Sequence, residues 1–478
     1  AYLVRRLLEN TSNQSFLRKS FHEDVNPDQL LAKPDPDKGQ AQPLDSNGYE
    51  TVGPLDFSKE DTRSSFRSAV EGVFNRNFES SKIYLGKGWT KTRENVESLN
   101  PSRLSDIVGS VGRARENHVG QAVDTACEVF EEWRETSPGD RADWLETLGR
   151  RLEADRRNLA ALIVREAGKS WREADADVME AIDFTQYYVR QTRRLSNGYR
   201  WSWPGEQNDY LYEPRGPTAV ISPWNFPLAI LTGMTTAALV TGNPVCLKPS
   251  SNTPLIAKRF VELAYDADLP EGVLQFLPGS GKEVGERLIR NPRIRGIAFT
   301  GSREVGLHIR REASRVFDDQ DHMKQTVLEL GGKNAVIVDR GANLDEAVNG
   351  IVRSAFGYQG QKCSACSRVI VVDDVADELV DRLVEATSSL RQGSARAPEN
   401  FMGPVIDEPS MESIREYQRI AFKEGKVRLQ PEPPELNVEG HYVAPMIVDR
   451  IDPGDVVARE EIFGPVLSII RVPDIDRA

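Results

Sequence analysis

The stretch TAVISPWNFPLAILTGMTTAALVTGNPVCLKPS, residues 218–250, decides the fold. It opens with a short apolar run rich in β-branched residues (218–222) and passes through a turn built from Pro and Asn. An apolar helical stretch follows (227–240), then a Gly-Asn-Pro break and a second apolar run (244–247). Short apolar runs bounded by turn residues predict buried strands. The stretch between them is interrupted by Thr232, Thr235 and Thr236. It also falls short of the ~18 unbroken apolar residues that a membrane helix needs, so it predicts a buried helix. Strand, helix and strand at this spacing form a crossover unit with parallel strands. The alternation continues through strand-like runs at 273–277, 296–300, 326–328, 334–338 and 368–372, with helical segments between most of them. The reading is an α/β protein with a doubly wound, mostly parallel sheet.

Working outward, helical patterns fill 119–194 after a strand-like run at 82–85. Between 200 and 215, aromatics alternate (Trp201, Trp203, Tyr210, Tyr212) around Pro204-Gly205, which predicts a hairpin. A hairpin interrupting an α/β region suits an arm that pairs with another subunit. Residues 2–20 read as a helix with Leu3, Leu7 and Leu8 on one side, and 22–61 as a linker of Pro, Asp, Gln, Lys and Gly. A short amphipathic stretch (Phe66, Val70, Val73, Phe74) comes next. The chain opens inside a helical pattern and stops directly after a strand-like run, so it reads as a piece of a longer polypeptide.

With 478 residues, 39% apolar and 28% charged, the chain suits two or three soluble domains. A net charge of −12 argues against a nucleic-acid surface, which needs clustered Lys and Arg. Neither a membrane-spanning run nor a secretory signal is read. Four cysteines are too few for a disulfide framework, which points to a reducing, cytoplasmic setting. The five histidines show no ligand spacing, so no metal is expected.

Candidate chemistry lies at strand ends. Pro223-Trp224-Asn225-Phe226-Pro227 follows one strand, where an Asn amide can donate to a developing oxyanion; a plain strand-to-helix turn is the equal alternative. Leu247-Lys248-Pro249-Ser250 ends the next, with a Lys suited to ribose hydroxyls or phosphate, or merely a solvated loop lysine. Phe299-Thr300-Gly301-Ser302 ends a third and opens a helix that suits a pyrophosphate. Gly279-Ser280-Gly281 is a looser turn of the same kind. Glu329, before Gly331-Gly332-Lys333, offers a general base, and Cys363, after Gly360-Gln361-Lys362, offers a thiol nucleophile. A neighbouring Lys362 or a helix N-terminus would lower the thiol pKa. The rival reading, a redox or metal motif at Cys363-Ser-Ala-Cys366, lacks a second ligand pair; Cys127 and Cys246 read as bland buried cysteines.

Together these motifs, with Glu460-Glu461-Ile462-Phe463-Gly464-Pro465-Val466, resemble the aldehyde dehydrogenase superfamily from about Ile83 onward. The resemblance implies a Rossmann-like cofactor domain (82–195 and 214–330), a β-hairpin oligomerisation arm (196–213) and an α/β catalytic domain (331–478). It makes Cys363 the nucleophile, Asn225 the oxyanion donor and Glu329 the base that hydrolyses a thioester. It assigns cofactor contacts to Ser222, Pro223, Trp224, Lys248, Ser250, Ser251, Gly281, Phe299, Thr300, Gly301, Ser302, Glu461 and Phe463, with NAD as the expected cofactor. Ser251 stands where NAD-preferring relatives often carry Glu, which leaves NADP open.

The run Gln361-Lys362-Cys363-Ser364-Ala365-Cys366 looks like the pyrroline-5-carboxylate (glutamate γ-semialdehyde) dehydrogenases and implies substrate contacts from Lys362, Ser364 and Phe226. Met234, where many general aldehyde dehydrogenases carry Lys, fits the same group. Tyr2, Arg5, Arg6 and Glu9 share one helical face and resemble the last helix of a flavin-dependent proline dehydrogenase barrel. Residues 1–21 would then be a barrel remnant and 22–81 a linker, in the layout of a bifunctional proline utilisation A protein. FAD would belong only to the missing barrel. The expected product is L-glutamate, made in a bacterial cytoplasm by a homo-oligomer, with membrane association only through the parent protein. Another aldehyde dehydrogenase, such as one acting on succinic semialdehyde, and a catalytically silent truncated module are the alternatives.

Overall fold

The structure, a computed structural model, describes residues 51–203, 205–318, 320–430 and 439–478. The expected barrel remnant (1–21) and residues 22–50 of the expected linker lie outside the described residues. From Glu60 onward that linker forms a helix and a short strand, a correction to the sequence reading. Glu60–Phe74 is a helix with Glu60 and Asp61 in its first turn, where acidic groups favour a helix N-terminus. Its Phe66, Val70 and Val73 fall on one face and are buried. Phe66 meets Phe57 edge-on at 5.2 Å and Trp171 at 4.8 Å, so this segment is part of the core.

The largest sheet has seven strands in the order Gln325–Glu329, Gly296–Thr300, Thr218–Ile221, Val245–Lys248, Leu274–Phe276, Lys82–Leu85 and Gly88–Lys91. The first five are parallel and the last two antiparallel additions. Register aligns the carboxyl ends, with Thr300 opposite Glu329, Phe299 opposite Ile221, and Ile221 opposite Lys248. Loops following those strands therefore share one edge, where open α/β sheets bind ligands.

Helices Glu116–Glu135, Ala229–Val240, Pro254–Asp266 and Arg303–Ala313 link strands or flank them. The last of these is capped by the Ser302 hydroxyl, which accepts from the Val305 N–H. A short second sheet pairs Phe78–Glu79, Ile107–Gly112 and Asn95–Leu99.

A five-stranded sheet follows in the order Asn334–Val338, Cys366–Val372, Val466–Val472, Met446–Asp449 and Lys426–Leu429, parallel except for the last pair. The hairpin forms as expected. Tyr199–Trp203 pairs antiparallel with Glu206–Tyr210, and Tyr199, Trp201, Tyr210, Leu211 and Tyr212 are exposed on or beside it.

Candidate active site

Two groups of candidate residues occupy the carboxyl edge of the seven-stranded sheet and its junction with the five-stranded one. In the first, Lys248 is buried and its ammonium donates to the Pro249 carbonyl at 2.9 Å; burial pushes it down to about 8. Ser222 on the adjacent strand is buried with its hydroxyl unpaired. The Ser250 hydroxyl accepts from the Asn252 N–H at 3.2 Å, and Ser251 donates to the Gly279 carbonyl at 3.2 Å. These contacts draw the loop after Val245–Lys248 onto the Gly279-Ser280-Gly281 turn, where Ser280 caps the wide turn Gly281–Gly285. Ser302 stands exposed at its helix N-terminus, preceded by buried Phe299 and half-buried Thr300 and Gly301. An unpaired hydroxyl, a lysine with one ligand and two serine-capped turns leave unused donors at one edge. That inventory fits a dinucleotide with its phosphates.

The second group surrounds Cys363. The residue is exposed, between Lys362 and buried Ala365. Its backbone is fixed by Asn334, whose amide donates to the carbonyls of Cys363 at 2.7 Å and Ala365 at 3.3 Å. The preceding loop is bent into left-handed backbone at three consecutive residues, Tyr358 (φ 48°), Gln359 (φ 57°) and Gly360 (φ 69°). Two non-glycine residues in that region cost roughly 1–3 kcal/mol each, so the surroundings must hold them. They do so with buried amides. Gln359 accepts from the Gly403 N–H at 2.9 Å and donates to the Pro404 carbonyl; Gln361 accepts from the Ile406 N–H at 3.0 Å.

Asn225 is buried, and its amide donates to the Gln361 carbonyl at 3.1 Å. One of its two N–H groups is thus spent on the Cys363 loop, and the other makes no hydrogen bond among the described residues. Phe463, itself at φ 54°, stacks edge-on against Trp224 at 5.5 Å. Glu461 accepts from the Gly332 N–H at 3.1 Å, and a β-carbon at Gly331 would lie 1.8 Å from its carboxylate. Burial pushes the Glu461 carboxyl up, while the Gly332 N–H and Lys333 oppose that shift. Glu329 is exposed at the end of its strand, with no side-chain hydrogen bond among the described residues.

The expected lowering of the Cys363 thiol pKa is not found. Partial enclosure by the loop walls pushes it up; its own N–H and that of Ser364 pull against this, while the Glu461 and Glu180 carboxylates add to the rise. Lys362 directly precedes the thiol in sequence but turns to Glu173, 2.6 Å away. Sequence reasoning missed Glu173, Glu180, Asn334 and the two glutamines. The redox reading gains no support either, because Cys366 is buried, its thiol pushed up to about 11.

The aldehyde dehydrogenase family model matches residues 89–478. The 1-pyrroline-5-carboxylate dehydrogenase of Geobacillus kaustophilus is 43% identical over 424 residues, covering 88% of this chain and 82% of the relative. A Thermus 1-pyrroline-5-carboxylate dehydrogenase with bound NAD superposes with a TM-score of 0.87 at 37% identity, over 90% of this chain and 83% of that one. Proline utilization A from Bdellovibrio bacteriovorus, inactivated by N-propargylglycine, superposes with a TM-score of 0.88 at 40% identity, over 100% of this chain and 50% of that one. With the family model matched over most of its length and a relative 43% identical, the chain belongs to the aldehyde dehydrogenase family.

Proposed function

We propose that the protein is an NAD-dependent L-glutamate γ-semialdehyde dehydrogenase, oxidising the open form of 1-pyrroline-5-carboxylate to L-glutamate in proline catabolism. The observation that supports the chemistry is the hydrogen bond from Asn225 to the Gln361 carbonyl, which ties the oxyanion turn to the loop carrying the exposed Cys363 thiol. The substrate rests on the Lys362-Cys363-Ser364 run and on relatives of this activity at 43% identity. The likeness across the whole chain to a proline utilization A protein supports placing the reaction after a flavin-dependent proline oxidation, with FAD in the barrel of the parent protein.

In this reading Cys363 Sγ adds to the aldehyde carbon, and the carbonyl oxygen becomes an oxyanion held by Asn225 Nδ2 and the Cys363 N–H. Bound NAD supplies the acceptor for the hydride that leaves the tetrahedral carbon. A thioester remains on Cys363. Glu329 then takes a proton from water as the water oxygen bonds to the acyl carbon and the C–S bond breaks, releasing glutamate and the thiolate. Lys248, Ser222, Ser250, Ser251 and Ser302 hold the adenosine and pyrophosphate, lined by Pro223, Phe299, Thr300, Gly301 and Gly281. Glu461 binds the nicotinamide ribose, with Trp224 and Phe463 packed at that end. Lys362, fixed by Glu173, and Ser364 receive the carboxylate end of the substrate, with Phe226 along its stem. The exposed aromatic hairpin supports self-association. Among the described residues no helix is long and apolar enough to cross a membrane. A cytoplasmic setting is part of this proposal.

NADH formation from 1-pyrroline-5-carboxylate, compared with succinic semialdehyde and uncharged aldehydes, tests the assignment. We expect a clear preference for the first; equal use of an uncharged aldehyde would discard the proline-pathway substrate. Gly331→Ala tests the cofactor end. The added methyl must displace the Glu461 carboxylate from the Gly332 N–H. A hydrogen bond to a charged group contributes about 1.5–3 kcal/mol, so NAD should bind roughly tenfold or more weakly, read by thermal-shift titration.

A further inference from the structure

We infer that Lys169 is a positioning residue that locks the oxyanion turn to the nucleophile loop from behind. The inference rests on the reading of Asn225 and Cys363 given above. Lys169 is fully buried, directly ahead of the helix Trp171–Leu195. Its ammonium lies 2.7 Å from Asp177 Oδ2, and both side chains are wholly excluded from solvent. The same nitrogen sits 3.9 Å from the centroid of the Phe226 ring and 4.8 Å from that of Tyr358.

Each partner belongs to a different catalytic segment. Phe226 follows Asn225 in the oxyanion turn. Tyr358 begins the left-handed run that leads to Cys363, and its hydroxyl donates to the Ala167 carbonyl at 3.1 Å, closing the loop back onto the chain that carries Lys169. Asp177 uses its second oxygen to accept from the Ala229 N–H at 2.7 Å, at the start of the helix after the oxyanion turn. One buried ion pair therefore touches the two segments at three points.

Stability alone does not call for this arrangement. Burying two charges costs several kcal/mol before their attraction returns it, and well-packed apolar side chains often serve as well or better. A charge held between two ring faces and one carboxylate is directional where an apolar contact is not. The pair thus fixes the distance between the Asn225 amide and Cys363, on which oxyanion stabilisation depends. A misplacement of about 1 Å can cost on the order of 100-fold in rate.

The test is the double variant K169M/D177N, which keeps the volume, removes both charges and leaves an Asn oxygen to accept the Ala229 N–H. Three measurements are made beside the parent protein: the first-turnover NADH burst, the KM for the semialdehyde, and hydrogen exchange of peptides covering 223–230 and 357–366. We expect a burst about 10- to 100-fold slower, KM within about threefold, and faster exchange confined to those two peptides together. D177N alone, which keeps Lys169, should move the same readouts in the same direction by less. A folded double variant with a parental burst overturns the inference. So does exchange that rises across the whole core, or failure of both variants to fold, since either makes the pair a general pillar of stability. A parent without a burst would count against the proposed reaction, while the paired exchange would still judge the lock.

Discussion

Replacing Cys363 by alanine is expected to lower NADH formation by at least about 10⁴-fold while leaving the stabilisation by NAD intact. The size follows from the absence of a substitute. Cys366 is buried, with its thiol donating to the Arg368 carbonyl and pushed up to about 11. Lys362 is engaged by Glu173. The cofactor arm of the prediction follows from the architecture, because Lys248, Ser222 and Ser302 belong to other strands and loops than Cys363. Stopped-flow absorbance with thermal-shift titration reads both arms; a burst within tenfold of the parent would remove Cys363 from the chemistry. The parent's pH dependence carries a sign. Thiolate is the reactive form, and enclosure with the Glu461 and Glu180 carboxylates raises the Cys363 pKa. Alkylation of Cys363 in the free protein should therefore accelerate with rising pH, with a midpoint above the ordinary thiol value of about 8.5. Glu180→Gln should bring that midpoint down.

The parts of this site that sequence made legible are those whose signal is local. Five apolar runs with motifs at their carboxyl ends become five parallel strands in register; in the inner ones burial on both sheet faces demands continuous apolar runs, while Gln325–Glu329 pairs at the edge. Ser222, Lys248, Ser302 and Glu329 come to one edge as a consequence of that register. Where partners are distant in sequence, the signal is lost. Asn95–Leu99 mixes polar and apolar residues, and its neighbour Ile107–Gly112 holds two glycines, so both take strand form from tertiary pairing and not from pattern. Lys169 and Asp177 sit in a run of alternating charges that reads as a solvated helix face; only packing shows that both are dry. Lys362 adjoins the thiol in the chain, yet its direction is decided by Glu173, on another helix. Left-handed backbone at Tyr358 and Gln359 leaves no compositional trace, since neither residue type favours it.

The second large effect separates the two halves of the reaction. Glu329→Gln is expected to leave the first-turnover burst close to the parent's and to slow steady-state turnover by roughly 10²–10⁴-fold, the range for a lost general base. Acyl-enzyme should then accumulate, visible as a mass increase on Cys363 equal to the bound acyl group. Two carboxylates, Glu461 and Glu329, are candidates for the base, and their surroundings separate the roles. Glu461 is held by the Gly332 N–H and boxed in by Gly331, so it is committed to a fixed acceptor position. Glu329 is exposed and unattached at a strand end, free to reach a water once the thioester has formed. The two variants should therefore diverge. Glu461→Gln should weaken NAD binding and slow the burst itself, whereas Glu329→Gln should stall the enzyme after one turnover. If Glu329→Gln turns over at the parental rate and Glu461→Gln accumulates acyl-enzyme, the base is Glu461, and the free carboxylate at Glu329 belongs to the surface.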